Sequence, residues 1–233
     1  MPKSPRLWEI DALRGSAILL MISFHIAFDL AYFWQYNIHY DTGIFYLEGR
    51  LAAILFLGVS GASSALAKPR PKRTASIVFW ALMITALTYW LSPENYVRFG
   101  ILHLIACCLL ITPLLDKLSG KQLLLLTSAI LVLAPLMKVL PAESGLLLPL
   151  GIRSPDFSSF DYYPLFPWGS CYIAGHLGIR WFLRLQKGRW QPAPAFLQPL
   201  TAIGRYPLTI YLLHQPVLLL LLLLLCGIPA QQP

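Results

Sequence analysis

The chain has 233 residues, of which 57% are hydrophobic and only 12% are charged, and its net charge is +8. Soluble domains hold about twice that share of charged residues, and several apolar runs here reach the ~20 residues that cross a bilayer. Composition therefore excludes a water-soluble fold and indicates an integral membrane protein. The basic residues lie in short segments between the apolar runs, so we expect no nucleic-acid partner.

Apolar spans set the predicted architecture. Seven are predicted, at residues 13–33, 50–67, 75–91, 101–115, 123–140, 164–183 and 203–226. The first span is too long for the apolar core of a signal peptide, and no cleavage site follows it, so we interpret it as a retained helix. The long segment at about 141–163 is predicted to be a functional or mobile loop. We expect one all-α domain over residues 1–233, a polytopic transmembrane helix bundle.

Loop charges predict the orientation of this bundle. With the N-terminus and the second, fourth and sixth loops in the cytoplasm, 14 of the 18 basic residues lie on the cytoplasmic side, as the positive-inside rule requires. They are Lys3, Arg6, Arg14, Lys68, Arg70, Lys72, Arg73, Lys117, Lys121, Arg180, Arg184, Lys187, Arg189 and Arg205. Arg50, Arg98, Lys138 and Arg153 fall on the opposite side. We therefore expect a multi-pass protein of a bacterial inner membrane with a cytoplasmic N-terminus.

Cysteine usage is uninformative for redox chemistry. Cys107, Cys108, Cys171 and Cys226 lie within or beside apolar spans and form no CxxC motif. We expect neither disulfides nor a metal site from them.

Ionisable residues inside membrane spans are costly and usually mark function, and here they concentrate on the first span. Asp11, Arg14, His25 and Asp29 follow one another at intervals of 3, 11 and 4 residues. At about 100° per residue these intervals place all four on one stripe of a helix. His25 lies about 16 Å along the helix from Arg14 at the helical rise per residue.

This stripe has a chemical interpretation. His25 is a candidate general base, and Asp29, one turn away, is a candidate to orient its ring. Arg14 near the membrane surface suits a phosphate, so an acyl-CoA with its phosphates at Arg14 and its thioester near His25 would fit. The alternative is a structural His25–Asp29 pair with Arg14 as a charge anchor.

Other polar positions give weaker signals. His103 opens the fourth span, His176 lies four residues before Arg180, and His214 stands beside Gln215 in the last span. Each alone is typical of a hydrogen bond between helices. His39 lies in the first loop, where a solvated histidine is the simplest interpretation.

Five ordered segments carry a family resemblance. They lie at 6–15, 56–61, 99–103, 161–168 and 204–216, and they span nearly the whole chain. Together they resemble the bacterial members of the heparan-α-glucosaminide N-acetyltransferase-like family, within the transmembrane acyltransferase superfamily. The Arg14-x10-His25 spacing is also similar to a signature of membrane O-acyltransferases that modify bacterial surface sugars.

The resemblance implies transfer of an acetyl or other acyl group from cytoplasmic acetyl-CoA to an amine or hydroxyl of a sugar across the membrane, without a metal. His25 and Asp29 are then catalytic candidates, as in the O-acyltransferases. His39 is the alternative base, because larger relatives carry asparagine at the position of His25 and place their catalytic histidine in the following loop. The candidates for CoA binding are Asp11, Arg14, Lys72, Arg73, Arg205 and His214. Those for the acceptor are His103, Asp161 and Trp168.

Two other classes of function stay open. A small proton-coupled transporter or flippase would use the charged stripe as a proton relay, and a non-catalytic membrane subunit would use it only for assembly. Direct transfer and a ping-pong route through an acyl-His25 are both compatible with these residues. The implied partners are the lipid bilayer, acyl-CoA, a glycan acceptor and a second copy of the chain in a homodimer.

Overall fold

A computed structural model describes residues 7–67, 70–141, 145–186 and 192–229. Within these ranges the chain is helical and has no β-strand, which confirms the all-α prediction. Its α-helices are α1 Trp8–Tyr32, α2 Gly43–Leu66, α3 Pro71–Leu91, α4 Ile101–Leu115, α5 Gly120–Val139, α6 Leu165–Gln186, α7 Gln198–Ile203 and α8 Pro207–Cys226. Five of the basic residues used to predict the orientation lie outside the described residues: Lys3, Arg6, Lys68, Lys187 and Arg189.

Each of the seven predicted spans coincides with a helix. The helices α1, α2, α3, α5 and α8 are long and apolar enough to cross a membrane, so the chain is a multi-pass membrane protein. The fourth, α4, is apolar but has only 15 residues. The sixth, α6, carries His176, Arg180 and Arg184 and is not among the helices that are long and apolar enough to cross. Crossings by α4 and α6 therefore stay predictions.

The last predicted span differs from the structure at its start. Residues 203–226 were predicted as one helix, but a short α7 ends at Ile203 and α8 begins at Pro207. Pro207 suits the first turn of a helix because it has no N–H to leave unpaired. Between the two helices, a Cβ on Gly204 would lie 1.8 Å from the Asp11 carbonyl oxygen, so only glycine allows this close approach to α1.

The chain divides into two compact units, and the first holds residues 1–56 and 189–233. In its described part, α1 packs on α7 and α8. Arg14 Nη1 donates to the Gly204 carbonyl oxygen at one end of α1 (3.0 Å), and Trp34 Nε1 donates to the Gly227 carbonyl oxygen at the other (3.0 Å). The helices α1 and α8 are therefore parallel. In a membrane, parallel helices need an odd number of crossings between them, which agrees with five intervening spans.

The second unit holds residues 57–188. The end of α2 packs closely on α6, since a Cβ on Gly61 would lie 1.9 Å from the Tyr172 carbonyl oxygen and one on Gly175 would lie 1.9 Å from the Gly58 carbonyl oxygen. On another side of α6, Thr112 of α4 bonds to the Tyr172 hydroxyl at 2.7 Å. Small residues that let backbones meet, with polar side chains as links, are typical of helix packing in membranes.

Part of the predicted long loop is ordered against the link between α3 and α4. Residues 145–150 form a 3-10 helix. Further along, Phe160 N–H donates to the Asn95 carbonyl oxygen (2.7 Å) and Tyr163 N–H donates to the Phe99 carbonyl oxygen (2.9 Å). The loop thus holds the N-terminus of α4 in place. Glu143, also part of the predicted loop, lies outside the described residues.

Candidate functional site

A polar cluster joins α1 to α8 in the first unit. It consists of His25 and Asp29 on α1 and of His214 and Gln215 on α8. The rings of His25 and His214 meet edge to face, with their centroids 4.7 Å apart and their planes at 84°. The amide of Gln215 donates to Asp29 Oδ1 at 2.6 Å. Two histidines, a carboxylate and an amide therefore share one place in an otherwise apolar pair of helices.

Both histidine rings are fixed by the backbone of their own helices. Nδ1 of His25 lies 2.8 Å from the Met21 carbonyl oxygen, and Nδ1 of His214 lies 2.6 Å from the Tyr211 carbonyl oxygen. A carbonyl oxygen only accepts, so each Nδ1 carries the hydrogen and each Nε2 keeps its lone pair. This tautomer is the one in which Nε2 can take a proton from a substrate.

The contact that orients His25 differs from the prediction. Asp29 was expected to hold the ring, but the Met21 carbonyl does so, and Asp29 bonds to Gln215. The physical reason is the tilt of helical side chains toward the N-terminus, which brings the His25 ring back over the preceding turn. Asp29 lies on the following turn.

Three buried polar atoms of this cluster have no hydrogen-bond partner in the described part of the chain. They are Asp29 Oδ2, His214 Nε2 and Gln215 Oε1, and Asp29 is fully buried. Leaving such an atom unpaired costs about 1–3 kcal/mol, so buried unpaired groups usually have a functional reason. Gln215 was not among the predicted site residues, although a polar side chain inside an apolar span beside His214 was the available signal.

The predicted CoA-binding residues fall into two groups. Arg14 bonds to Asp11 Oδ1 at 2.7 Å and to the Gly204 carbonyl oxygen, and both side chains are largely buried. This ion pair locks α1 to the α7–α8 link. By contrast, Arg205 is exposed next to Gly204, and Lys72 and Arg73 are exposed at the start of α3 in the second unit. His214, the last of the candidates for CoA binding, contacts His25 in the polar cluster.

His103 is held at the start of α4. Its Nδ1 accepts from the Gly100 N–H (3.2 Å), so its Nε2 carries the hydrogen and donates to Thr85 Oγ1 (3.1 Å). Thr85 in turn donates to the Val97 carbonyl oxygen. One ring nitrogen therefore caps the start of α4, and the other fastens α4 to α3.

Asp161 caps the same helix from the ordered loop. Its Oδ2 accepts from the Ile101 N–H at 3.0 Å, where the helix dipole also favours a negative charge. Burial nevertheless raises the pKa of Asp161 from 3.8 to about 6, and the bond from Ile101 offsets only part of that effect. Further along, the Trp168 ring packs edge to face on Tyr163 with centroids 4.8 Å apart.

The remaining histidines lie apart from this chemistry. His39 is exposed in the link between α1 and α2. His176 is fully buried, and its Nε2 accepts from Arg180 Nη2 at 2.9 Å, while Arg180 also donates to the Leu118 carbonyl oxygen at 3.0 Å. The four-residue spacing of His176 and Arg180 was visible in the sequence, but their contact lies within α6. The hydrogen bond between helices that was expected of His176 is the one between its Nδ1 and Ser64 Oγ of α2, at 3.4 Å.

The family model described as "Heparan-alpha-glucosaminide N-acetyltransferase, catalytic" matches residues 6–216, which is most of the chain. The chain belongs to this family. The match shows that the chain is a member of a membrane acetyltransferase family. The matched residues include α1, the polar cluster of α1 and α8, and every candidate site residue.

Further comparisons with curated proteins and with solved structures returned no match. The family implies acetyl-CoA as the acyl donor. In the described ranges, no group of three or more His, Cys, Asp or Glu side chains could hold a metal ion.

Proposed function

We propose that this protein is an integral-membrane acetyltransferase of the bacterial inner membrane, with its N-terminus in the cytoplasm. It takes the acetyl group of cytoplasmic acetyl-CoA and transfers it to an amine or hydroxyl of a sugar on the far side of the bilayer. The family supports the class of reaction, and the parallel arrangement of α1 and α8 supports a bundle with an odd number of spans.

The observation that carries this proposal is the His25–His214 pair. Each Nδ1–H is bound to the backbone, so each ring keeps its free lone pair on Nε2, and the two ring centroids are 4.7 Å apart. Two imidazolium rings so close would repel each other, which suits the pair to hold one added proton. A fixed base with a neighbouring acceptor is what proton removal from an amine or hydroxyl needs.

In the direct route, His25 acts as the general base. Its Nε2 accepts the proton of the acceptor as the amine or hydroxyl forms a bond to the thioester carbonyl carbon. The carbon–sulfur bond then breaks, and His25 returns the proton to the leaving thiolate. The products are the acetylated sugar and free CoA, and His25 ends as it began.

The ping-pong route uses the same residues in another order. His25 Nε2 attacks the thioester carbonyl carbon, the carbon–sulfur bond breaks, and CoA leaves as a thiolate that takes a proton from water. The amine or hydroxyl then attacks the acetyl group on His25 while His214 Nε2 takes the acceptor's proton. The bond between the acetyl carbon and Nε2 breaks, and His214 gives its proton back to water. In either route Asp29, held by Gln215, supplies a carboxylate oxygen for a hydrogen bond from the acceptor. We keep His39 as the alternative base, because it lies in the loop where larger relatives place their histidine.

The CoA phosphates would bind at the Arg14 end of α1. Arg205 is the best candidate because it is exposed, whereas Arg14 and Asp11 hold each other and shape the α7–α8 link. Arg14 lies about 16 Å along α1 from His25, so the thioester can reach the histidine pair while the phosphates stay near the membrane surface. Lys72 and Arg73 are further exposed candidates for the phosphates.

The acceptor would be met by the ordered loop and the start of α6. Trp168 and Tyr163 offer aromatic rings of the kind that stack on sugars. His103 and Asp161 contribute to this site by holding the start of α4 rather than by contacting the sugar.

A second candidate function is a proton-coupled transporter or flippase. The unpaired oxygen of buried Asp29 favours it, because carboxylates within spans are typical of proton relays. The two candidates differ in their products, since only a transferase releases CoA in proportion to acetylated acceptor.

Calorimetric titration of the purified wild-type protein with acetyl-CoA tests the proposal, followed by an assay for CoA released on adding a glucosamine-type acceptor. We expect binding, weakened several-fold in Arg205→Gln, and acceptor-dependent release of CoA. A folded protein that binds acetyl-CoA weakly or not at all, and releases none, would favour the transporter.

A further inference from the structure

A cavity lies at the end of α5 in the second unit, and none of its described lining residues has been assigned a role above. Its volume is about 440 Å³, within the range of small-molecule sites. Lys138, Arg153 and Ser154 supply its polar lining, and Phe157 and several aliphatic side chains supply the rest. Among the described residues that line it, every polar side chain is a hydrogen-bond donor and none is acidic.

Positive charge gathers around this cavity. Besides Lys138 and Arg153, the guanidinium of Arg98 lies over the Phe157 ring, 5.3 Å from its centroid. These are three of the four basic residues that the charge distribution leaves on the side opposite to the N-terminus. The fourth, Arg50, instead stacks on Tyr46 at 4.6 Å.

The described part of the chain places no ion-pair partner on these three side chains. Among the described residues, no Asp or Glu lies within salt-bridge distance of Lys138, Arg153 or Arg98. Arg98 Nε is also buried without a hydrogen-bond partner in this part of the chain. Lys138 and Arg153 line one cavity, and like charges that share a cavity repel each other, so a bound anion would relieve that repulsion.

The position of the cavity indicates where the anion comes from. Lys138 is in the last turn of α5, a helix long enough to span the bilayer, so it lies at the depth of lipid headgroups. Around Lys138, the last two turns of α5 expose Val132, Leu136 and Val139. A ligand with a phosphate in the cavity could therefore lay its hydrocarbon chains along this helix.

We propose that Lys138, Arg153 and Arg98 form a binding site for the phosphate of an anionic lipid. The guanidinium of Arg153 and the ammonium of Lys138 would contact the phosphate oxygens, with Ser154 donating a further hydrogen bond. Arg98 would add charge from behind Phe157. This site is independent of acetyl transfer, and it stands or falls separately from the proposed function.

The test uses the full-length protein in neutral detergent, titrated with short-chain phosphatidylglycerol, phosphatidylcholine of equal chain length, and inorganic phosphate. Tryptophan fluorescence follows binding to the wild type, to Lys138→Gln/Arg153→Gln, and to the control Arg50→Gln. Both cavity residues are exposed, so the double variant should fold, and its melting temperature checks this.

We expect phosphatidylglycerol to bind more tightly than phosphatidylcholine. The double variant should lose about fivefold in affinity for each cation removed, and Arg50→Gln should match the wild type. Binding of inorganic phosphate with equal affinity and equal loss in the double variant would retain the phosphate site but make its ligand a soluble one. Equal lipid affinities for the wild type and the double variant would overturn the site.

Discussion

Main-chain carbonyl groups hold two of the polar side chains of α1. Met21 fixes the ring of His25 and Gly204 receives the guanidinium of Arg14. A main-chain carbonyl does not titrate and barely moves, so these contacts hold the site residues at a constant position and tautomer. This is the kind of support that a proton-transfer site requires.

The Arg14–Asp11 pair should matter for stability. Asp11 is only 4% exposed, and Arg14→Ala would leave its carboxylate buried without its cation. We expect Arg14→Ala to lose about 3–5 kcal/mol of stability, measured by unfolding in detergent. Arg205→Ala is the matched control, since Arg205 is exposed and its loss should change stability little. Equal melting temperatures for the two variants would contradict the structural role of Arg14.

Asp161 should give the fold a pH-dependent stability. Its pKa is about 6 in the folded protein against 3.8 ordinarily, so the folded state holds the proton more tightly. The contribution is therefore complete below about pH 4 and is lost as the pH rises through 6. Asp161→Asn keeps an acceptor for the Ile101 N–H and does not ionise.

The melting temperature of Asp161→Asn should match that of the wild type near pH 4 and exceed it at pH 7. Thermal unfolding of both proteins between pH 4 and 7 measures this difference. Two curves that run parallel over the whole range would show that Asp161 does not titrate in this window.

Helical spacing alone placed His25 and Asp29 on one face of α1, because the helical period is a local property. Their partners did not follow from it. Gln215 lies 186 residues from Asp29 in the chain, and no local pattern encodes a contact over that distance. The prediction of a His25–Asp29 bond went wrong because spacing gives the face of a side chain but not its hydrogen-bond partner.

At the level of helices, close backbone contact through glycine determines the packing. A Cβ added at Gly15 would lie 2.1 Å from the Leu200 carbonyl oxygen. A Cβ at Gly61 or Gly175 would make a similar close contact between α2 and α6. No flexible side chain stands at these places to move aside. A methyl group there must push two helices apart.

Substitution of Gly175 tests this packing against an internal control. Gly175→Ala should lose roughly 1–3 kcal/mol because of overpacking. Gly178→Ala in the same helix should be neutral or slightly stabilising, since nothing lies within 4 Å of its Cβ. Thermal unfolding of both variants in one detergent gives the comparison. A Gly175→Ala protein as stable as Gly178→Ala would rule out the close contact.

Hydropathy predicted the seven long helices because each is a continuous apolar run. It did not predict α7, because this helix has only six residues with Gln198, Pro199 and Thr201 among them, and the predicted span began at residue 203. The break between them depends on Gly204 meeting the backbone of α1, which is a tertiary contact.

For the whole molecule, the parallel α1 and α8 and the charge distribution support the same topology. Single cysteines placed in a cysteine-free background test it, at Asn37→Cys, Asp156→Cys and Lys117→Cys. The first two should react with an impermeant maleimide from outside intact spheroplasts, and Lys117→Cys only after the membrane is opened. Labelling of Lys117→Cys from outside would contradict the proposed orientation.

The central claim is that His25 removes the proton from the acceptor during acetyl transfer. The most direct measurement is acceptor-dependent release of CoA by purified wild type, His25→Ala and His39→Ala, with acetyl-CoA binding measured on the same samples. We predict that His25→Ala still binds acetyl-CoA but loses about 10²–10⁴-fold in rate, while His39→Ala keeps the wild-type rate. The reverse pattern, with His25→Ala active and His39→Ala inactive, would contradict the account and move the chemistry to the loop between α1 and α2.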